Sequence, residues 1–564
     1  MALLNISGLH LEVDGRKLLS GIELSLRAGE VLGLVGESGS GKSMTAISVL
    51  GLLPPGAQRS GTIDLAGRDL LKRSERELCA IRGSEIGMVF QEPMTALNPL
   101  LRIDEQVAEV VRTHRRVSRR EALTLAHATL ERVGLPASRV SHDRYPHTLS
   151  GGQRQRVAIA MAIVLKPKLL IADEPTTALD VSTQARILEL LRELVRENAC
   201  GLLLVSHDLG VIAEIADEVA VMERGRIVEH GAVARVLRHP QHPYTQALLA
   251  NSRPQPAPAP PIAGTGAPLL EVNHVVCEYP AHERTLFRPP PAVRAVDGVS
   301  LRIDPGERVG LVGESGCGKS TLLRAILGLE TLRGGTIRVA GEGYSRSDAA
   351  SLQEIRRQIQ IVFQDPHGSL NPRWRVADVV GEPFHLWRGP GAPSADERRR
   401  RIASVLERVG LSAADGERFP HEFSGGQRQR IAIARALVCE PRLLVLDEAV
   451  SALDVSIRAQ ILELLGTLSR ELGLAYLFVS HDIQVVRAVT DRLYVMQRGR
   501  VVESGHSAEV LAHPRHDYTA SLVAASPDLD LALARRFPQS AKIPVAGGGG
   551  GGGRPPPPPP PRRG

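Results

Sequence analysis

Apolar residues along this chain follow two alternating patterns. Short continuous runs, EVLGLVG at 30–36 and LLIADE at 169–174, are β-rich and end in glycine or acid, as strands buried on both faces do. Longer stretches carry apolar residues at helical spacing, such as REALTLAHATLERVG at 120–134. Both patterns return downstream as ERVGLVG at 307–313, LLVLDE at 443–448 and DERRRRIASVLERVG at 396–410. The expected order within each half is strand, glycine loop, helix, a charged helix-rich middle (about 100–165 and 373–440), then strand, helix and strand. That order predicts an α/β core with an inserted helical subdomain.

The recurrence is a duplication. GLVGESGSGKS at 33–43 returns as GLVGESGCGKS at 310–320, and LSGGQRQRVAIA at 149–160 as FSGGQRQRIAIA at 423–434. ALDVS occurs at 178–182 and 452–456, and VSHD at 205–208 and 479–482. Such a period is too long for a solenoid. The proline- and alanine-rich stretch 252–268 reads as a linker between a first domain, 1–251, and a second, 269–526. Residues 527–564 end in GGGGGGGRPPPPPPPRRG and read as a low-complexity, disordered tail.

Charge and cysteines narrow the classes. Of the formal net charge of +7, the tail carries six Lys or Arg against two Asp, so the rest is near neutral and nucleic acid is not an expected partner. The five cysteines, at 79, 200, 277, 317 and 439, have no metal-ligand spacing. The apolar run VAIAMAIVL at 157–165 is far short of the ~20 residues that span a bilayer. The N-terminus has no secretory pattern, and a cytoplasmic location is expected.

GESGSGKS and GESGCGKS fit the phosphate-loop pattern, in which backbone N–H groups curl around phosphates. Gly36, Glu37, Ser38, Gly39, Ser40, Gly41, Lys42 and Ser43 form the first candidate loop. Gly313, Glu314, Ser315, Gly316, Cys317, Gly318, Lys319 and Ser320 form the second. Lys42 and Lys319 are candidates for the β and γ oxygens, Ser43 and Ser320 for Mg²⁺. Asp173 and Asp447 are candidate Mg²⁺ residues at strand ends, and the following Glu174 and Glu448 can polarise the attacking water. Gln91 and Gln364 follow β-rich runs, where a neutral amide can reach both metal and water. His207 and His481 stand where an imidazole can donate to the γ-phosphate. Cys317 lies beside a helix N-terminus and Lys319, surroundings expected to favour a thiolate.

Together these motifs, twice and in the same order, resemble the ATP-binding cassette ATPases. The resemblance implies two tandem nucleotide-binding domains, each with an α/β core, an antiparallel β subdomain and a helical subdomain, with ATP and Mg²⁺ as ligands. It also implies head-to-tail packing, in which Ser150, Gly152 and Gln153 cover the nucleotide on Lys319, and Ser424, Gly426 and Gln427 the one on Lys42. Tyr279 matches the family's adenine-stacking aromatic, while Val13 stands at the equivalent place in the first half.

The segments HPQHPYTQALLA at 239–250 and HPRHDYTASLVAASP at 513–527 resemble those closing the ATPases of dipeptide, oligopeptide and nickel importers, here in fused form. The implied partners are two permease subunits and an extracytoplasmic solute-binding protein, with the chain peripheral on the cytoplasmic face of the inner membrane. Many relatives bind an iron–sulfur cluster after this segment; no cysteine follows Cys439, so no cluster is expected. A soluble tandem cassette protein acting on ribosomes or nucleic acid is the alternative. Its long charged linker or paired CxxC motifs are missing from the sequence.

Overall fold

The computed structural model of the chain describes residues 2–92, 96–177, 179–253, 267–279, 292–344, 348–387, 392–451 and 453–538. Most of the linker and the Gly/Pro tail lie outside them.

In the first half, strands β1 (Ala2–Val13), β2 (Arg16–Arg27), β4 (Gln58–Leu65) and β5 (Arg68–Asp69) form an antiparallel sheet in the order β2-β1-β4-β5. Strands β3 (Val31–Val35), β6 (Ile86–Val89), β7 (Leu169–Asp173), β8 (Gly201–Ser206), β9 (Glu218–Glu223) and β10 (Arg226–Ala232) form the central sheet, order β10-β9-β3-β8-β7-β6. All its pairings are parallel except β9 with β10.

The second half repeats this. β11 (Leu270–Tyr279), β12 (Val293–Ile303), β14 (Gly334–Val339) and β15 (Glu342–Gly343) pair as β12-β11-β14-β15. β13 (Arg308–Val312), β16 (Ile359–Val362), β17 (Leu443–Asp447), β18 (Ala475–Ser480), β19 (Arg492–Gln497) and β20 (Arg500–His506) form the second central sheet.

The continuous apolar runs have a direct physical cause. In β7, Leu169 and Ile171 join the core shared with the antiparallel sheet, while Leu170 and Ala172 join the core shared with the helical subdomain. A strand with helices or a second sheet on both faces has no polar side. The helix-period segments form helices Arg119–Arg132 and Ala395–Arg408, each with one apolar stripe turned inward. Ser118 and Glu121 close a capping box that starts the first.

The expected tail boundary needs correction. Residues 529–536 form a helix, Leu529–Arg536, whose Leu529, Ala532 and Leu533 are buried in the core of the first half. Arg536 Nη1 donates to the carbonyls of Ala213 and Ala216, both at 2.8 Å, at the C-terminal end of helix Leu209–Ile215. Arg238 returns the contact by donating to the carbonyls of Leu533, at 2.8 Å, and Phe537. The apolar residues 529, 532 and 533 carry helical spacing, but the low-complexity composition that follows masks so short a signal. The end of the second half is thereby strapped to the first.

Removing the Arg536 guanidinium leaves two helix-terminal carbonyls without their partner. Arg536→Ala is expected to lower the stability of the full chain by about 1–3 kcal/mol. Denaturant unfolding measures this, with the exposed Arg224→Ala as the neutral control.

Candidate functional site

In the first half the phosphate loop, Gln91, Asp173, Glu174 and His207 sit at the C-terminal ends of parallel strands, while Ser150, Gly152 and Gln153 stand apart at the start of helix Gly151–Ile163. In sheet order, the phosphate loop follows β3, His207 follows β8, Asp173 ends β7 and Gln91 follows β6. Adjacent strand ends in an open α/β sheet form a crevice, and ligands bind there. The second half repeats the arrangement with β13, β18, β17 and β16.

The loops are closely built. Gly36 has φ 154°, and a Cβ there would meet the Met222 carbonyl oxygen at 2.2 Å; the same 2.2 Å separates a Cβ on Gly313 from the Met496 oxygen. Only glycine fits under that backbone. The Lys42 ammonium donates to the carbonyls of Gly36 and Glu37, both at 2.8 Å. Lys319 donates to those of Gly313, 2.6 Å, and Glu314, 2.9 Å. Burial pushes the Lys42 pKa down against the opposing pull of Glu174, Asp454 and Asp173. Ser40 Oγ is buried without a hydrogen-bond partner, and Cys317 fills the matching place.

Cys317 departs from the expectation drawn for it. Its sulfur lies 3.8 Å from Lys319 Nζ, yet burial raises its pKa and outweighs the lysine. A thiol pressed against the loop interior, 7% exposed, is held neutral.

The carboxylates are differentiated by their neighbours. Asp173 is buried and receives the Ser43 hydroxyl at 3.2 Å, pairing the two residues expected at Mg²⁺. Burial raises its pKa, and the charge of Glu174 adds to that; burial and Glu448 act likewise on Asp447. Burial also raises Glu174, but the hydrogen bond and charge of His207, then Thr177 and Lys42, bring it below the ordinary value. His481 does the same for Glu448. Gln91 Nε2 donates to Glu174 at 3.0 Å, with His207 Nδ1 at 3.1 Å from its other oxygen. The matching distances at Glu448 are 2.7 Å from Gln364 and 3.4 Å from His481.

Glu174 and Glu448 adopt the left-handed conformation, φ 47° and 48°. For a residue with a Cβ this costs about 1–3 kcal/mol. The turn is fixed by the Glu174 amide, which donates to the Val205 carbonyl at 2.9 Å, and by Glu448 and Val479 at the same distance. Each histidine is held between a strand end and an N-capping aspartate, Asp208 or Asp482.

The halves meet reciprocally at Asp454 and Ser182, at the starts of helices Val455–Leu472 and Val181–Asn198. The Ser38 amide donates to Asp454 Oδ1 at 2.8 Å, and the Ser182 hydroxyl to Glu314 Oε1 at 2.5 Å, so each phosphate loop touches a helix start of the other half. Thr177 and His207 line one cleft with Ser451 and His481.

The chain is similar to known proteins along most of its length. The family model described as ABC transporter matches residues 19–177 and 296–451. A second, described as oligopeptide/dipeptide transporter, C-terminal region, matches 228–281 and 502–549. The peptidoglycan transport ATP-binding protein YejF of Agrobacterium fabrum is 47% identical, over 90% of this chain and 92% of its own length. The glutathione import ATP-binding protein GsiA of Escherichia coli K12 is 45% identical, over 90% of this chain and 86% of its own. The chain belongs to the ABC transporter family. Its halves are ABC ATPase cassettes that bind and hydrolyse ATP. Among solved structures, the cassette cbiO1 of Clostridium perfringens covers 44% of the chain and 92% of its own length, at 31% identity and a TM-score of 0.38.

Within these cassettes the SGGQ residues carry a structural duty that the sequence reading did not assign. Ser150 accepts from the Gln153 amide at 3.3 Å, while Gln153 Oε1 accepts from the Ser150 amide at 3.0 Å. That is a capping box starting helix Gly151–Ile163, and Ser424 and Gln427 form its twin. A Cβ on Gly152 would meet Thr183 Cγ2 at 2.4 Å, and one on Gly426 would meet Ile457 Cγ2 at 2.4 Å. The second glycine is therefore required by the neighbouring helix of its own cassette.

Two further positions were not expected at the site. Tyr244 Oη accepts from the Glu37 amide at 3.0 Å, and Tyr518 Oη from the Glu314 amide at 2.9 Å. Their signal was the HP-x-x-x-Y-T segment, read from sequence only as a mark of the importer type. Tyr279 ends β11 as Val13 ends β1, and its hydroxyl donates to Glu330 at 2.7 Å.

Gly426→Ala is expected to cost about 1–3 kcal/mol by overpacking against Ile457. Gly425→Ala meets nothing within 4 Å and is expected to leave stability unchanged. Thermal unfolding of the two variants checks the contrast.

Proposed function

We propose that the chain powers a peptide-type importer, with two cassettes, 1–251 and 269–526, hydrolysing ATP at two composite sites and driving uptake of peptides or glutathione-like solutes. The observation that carries the reading is the pair of carboxylate clusters, Gln91–Glu174–His207 and Gln364–Glu448–His481, each beside a phosphate loop that touches the opposite cassette. The peptidoglycan and glutathione transport names of the relatives, and the oligopeptide/dipeptide C-terminal region, support the solute class.

Each phosphate loop offers its backbone amides and lysine to the ATP phosphates. Glu174 and Glu448, oriented by glutamine on one oxygen and histidine on the other, accept the proton of the attacking water. The histidines then face the phosphate that leaves. A buried aspartate with a raised pKa beside a serine hydroxyl suits a hard divalent cation. Mg²⁺ would rest on Ser43, Asp173 and Gln91, and on Ser320, Asp447 and Gln364, supplying charge neutralisation of the phosphates. Ser150 with Gly152, and Ser424 with Gly426, would cover the opposite nucleotide from a helix N-terminus.

No helix among the described residues is long and apolar enough to cross a membrane, so permease subunits on other chains would carry the solute. Leu52 and Phe90 in the first cassette and Leu329 and Phe363 in the second are exposed at matching places in the sequence, Phe90 and Phe363 directly before the glutamines. In the second cassette Leu329 and Phe363 line a groove with Pro383 and Leu386, and we assign it to a short helical loop of a permease. Attachment to the cytoplasmic face of the inner membrane and delivery by a solute-binding protein complete the proposed system.

Glu174→Gln and Glu448→Gln are each expected to slow ATP turnover, and together by roughly 100-fold or more. Uptake of labelled peptides and glutathione, measured in cells expressing the chain with its permeases, should disappear in the double variant. A double variant with undiminished uptake overturns the reading, as does a wild-type system that imports neither solute.

The aromatic asymmetry yields a second outcome. Stacking on a base is worth ~1–3 kcal/mol in nucleic-acid-binding proteins. Tyr279, oriented by Glu330, should make the Lys319 site bind ATP about tenfold more tightly than the Lys42 site. Nucleotide titration of Val13→Tyr and Tyr279→Val should show tightening of the first site and loosening of the second.

A further inference from the structure

The amide of residue 37 or 314 opens the turn of each phosphate loop, and an inward-facing N–H there needs an acceptor. The loop itself supplies none. The acceptor is a tyrosine hydroxyl 207 or 204 residues downstream, in the first turn of helix Pro243–Asn251 or Asp517–Ala525.

Each tyrosine is held by an arrangement present in duplicate. Glu229 accepts the amides of Gln241 and His242 at 3.0 and 3.1 Å, and His242 Nδ1 accepts the Tyr244 amide at 3.2 Å. Glu503 accepts those of Arg515 and His516 at 2.8 and 3.1 Å, and His516 Nδ1 accepts the Tyr518 amide at 3.1 Å. Strand β10 or β20, which carries the glutamate, thus fixes where the hydroxyl stands.

What the hydroxyl holds is connected in two directions. The Glu37 carbonyl accepts from Lys42 Nζ, so the same residue that Tyr244 pins also seats the lysine. The next amide, Ser38, is gripped by Asp454 of the other cassette, while Asn251, ending the tyrosine's own helix, donates to Ser456 Oγ at 3.0 Å. At the second site the Glu314 carboxylate takes the Ser182 hydroxyl and the Glu314 carbonyl takes Lys319. The helix therefore touches its own phosphate loop and, in the first cassette, the ALD helix of the partner cassette as well.

We propose that Tyr244 and Tyr518 are positioning residues for ATP: each sets the leading edge of its own phosphate loop, and with it the lysine and the contact that loop makes with the opposite cassette. Neither touches the reacting atoms. The proposal rests on the reading of Gly36–Ser43 and Gly313–Ser320 as nucleotide loops, which Lys42→Ala and Lys319→Ala test separately.

Tyr244→Phe and Tyr518→Phe remove the acceptor and keep the ring. In the full-length chain each is expected to raise the KM for ATP about fivefold, the effect of one modest hydrogen bond, with kcat within about twofold and the Tm lowered less than by loss of a buried leucine. Leu248→Ala serves as the comparison, because it loosens the same helix at a buried position without touching the hydroxyl. It should lower the Tm and move the KM less than Tyr244→Phe does. Phe variants with wild-type KM, while the lysine variants lose ATP binding, overturn the tyrosine role alone. A Leu248→Ala chain with a KM rise equal to that of Tyr244→Phe overturns it too, because loosening of the helix would then suffice.

Discussion

Burial of the central sheet on both faces is the constraint from which the rest of each cassette follows. β3, β7 and β8 are apolar at nearly every position because one face supports the antiparallel sheet and the other the helical subdomain. Polar chemistry has no place along such strands, since an unpaired charge there would carry a large desolvation cost. It is confined to the strand ends, where backbone groups are freed and side chains reach a crevice. The phosphate loop, glutamate, glutamine and histidine converge because their strands are neighbours, although up to 171 residues separate them in sequence, from Gly36 to His207.

The core and the candidate site were legible in the sequence because both depend on local patterns. A continuous apolar run ending in Asp-Glu, or a glycine loop between strand and helix, states its conformation within about ten residues. Contacts made at long range were not legible. Nothing in HPYT announces that its tyrosine will meet an amide 207 residues away, and nothing in LDLALARR announces that its arginine will close a helix in the other cassette. The SGGQ motif was legible only in part: its serine and glutamine fit a capping box on spacing alone, but the crowding at Gly152 arises from Thr183, a neighbour brought in by tertiary packing. Cys317 failed in the opposite direction. Its sequence neighbours suggested a thiolate, and burial, which no neighbour reveals, reversed the sign.

Duplication did not make the halves equivalent. Asp180 spends its carboxylate at home, capping its own helix through the Thr183 amide at 3.0 Å. Asp454 makes no such cap and reaches instead to Ser38 across the interface. In the reverse direction the contact is carried by a hydroxyl and a glutamate, Ser182 and Glu314. One connection is thus a carboxylate on a loop amide, the other a side-chain pair, which exchanges partners with less disturbance of the backbone. The strap Leu529–Arg536 adds to this inequality, because its apolar face is buried in the core of the first cassette.

Electrostatics divides the labour inside each acidic pair. Asp173 and Glu174 are adjacent and similarly buried, yet the shifts run apart: burial and the neighbouring charge raise the aspartate, while His207 and Thr177 overcome burial and lower the glutamate. A raised acid in the folded state holds its proton longer than in the unfolded chain, so ionising Asp173 as pH rises above the unfolded value weakens the fold. Glu174 acts with the opposite sign: its ionised form stabilises the fold, and that contribution is lost as pH falls through its depressed pKa. Two carboxylates pushed apart in this way can take different tasks at one pH. The aspartate, costly as a bare anion, is the group a divalent cation would relieve; the glutamate is held ionised by His207 and Thr177 and oriented on both oxygens, the state that the proposed general base requires.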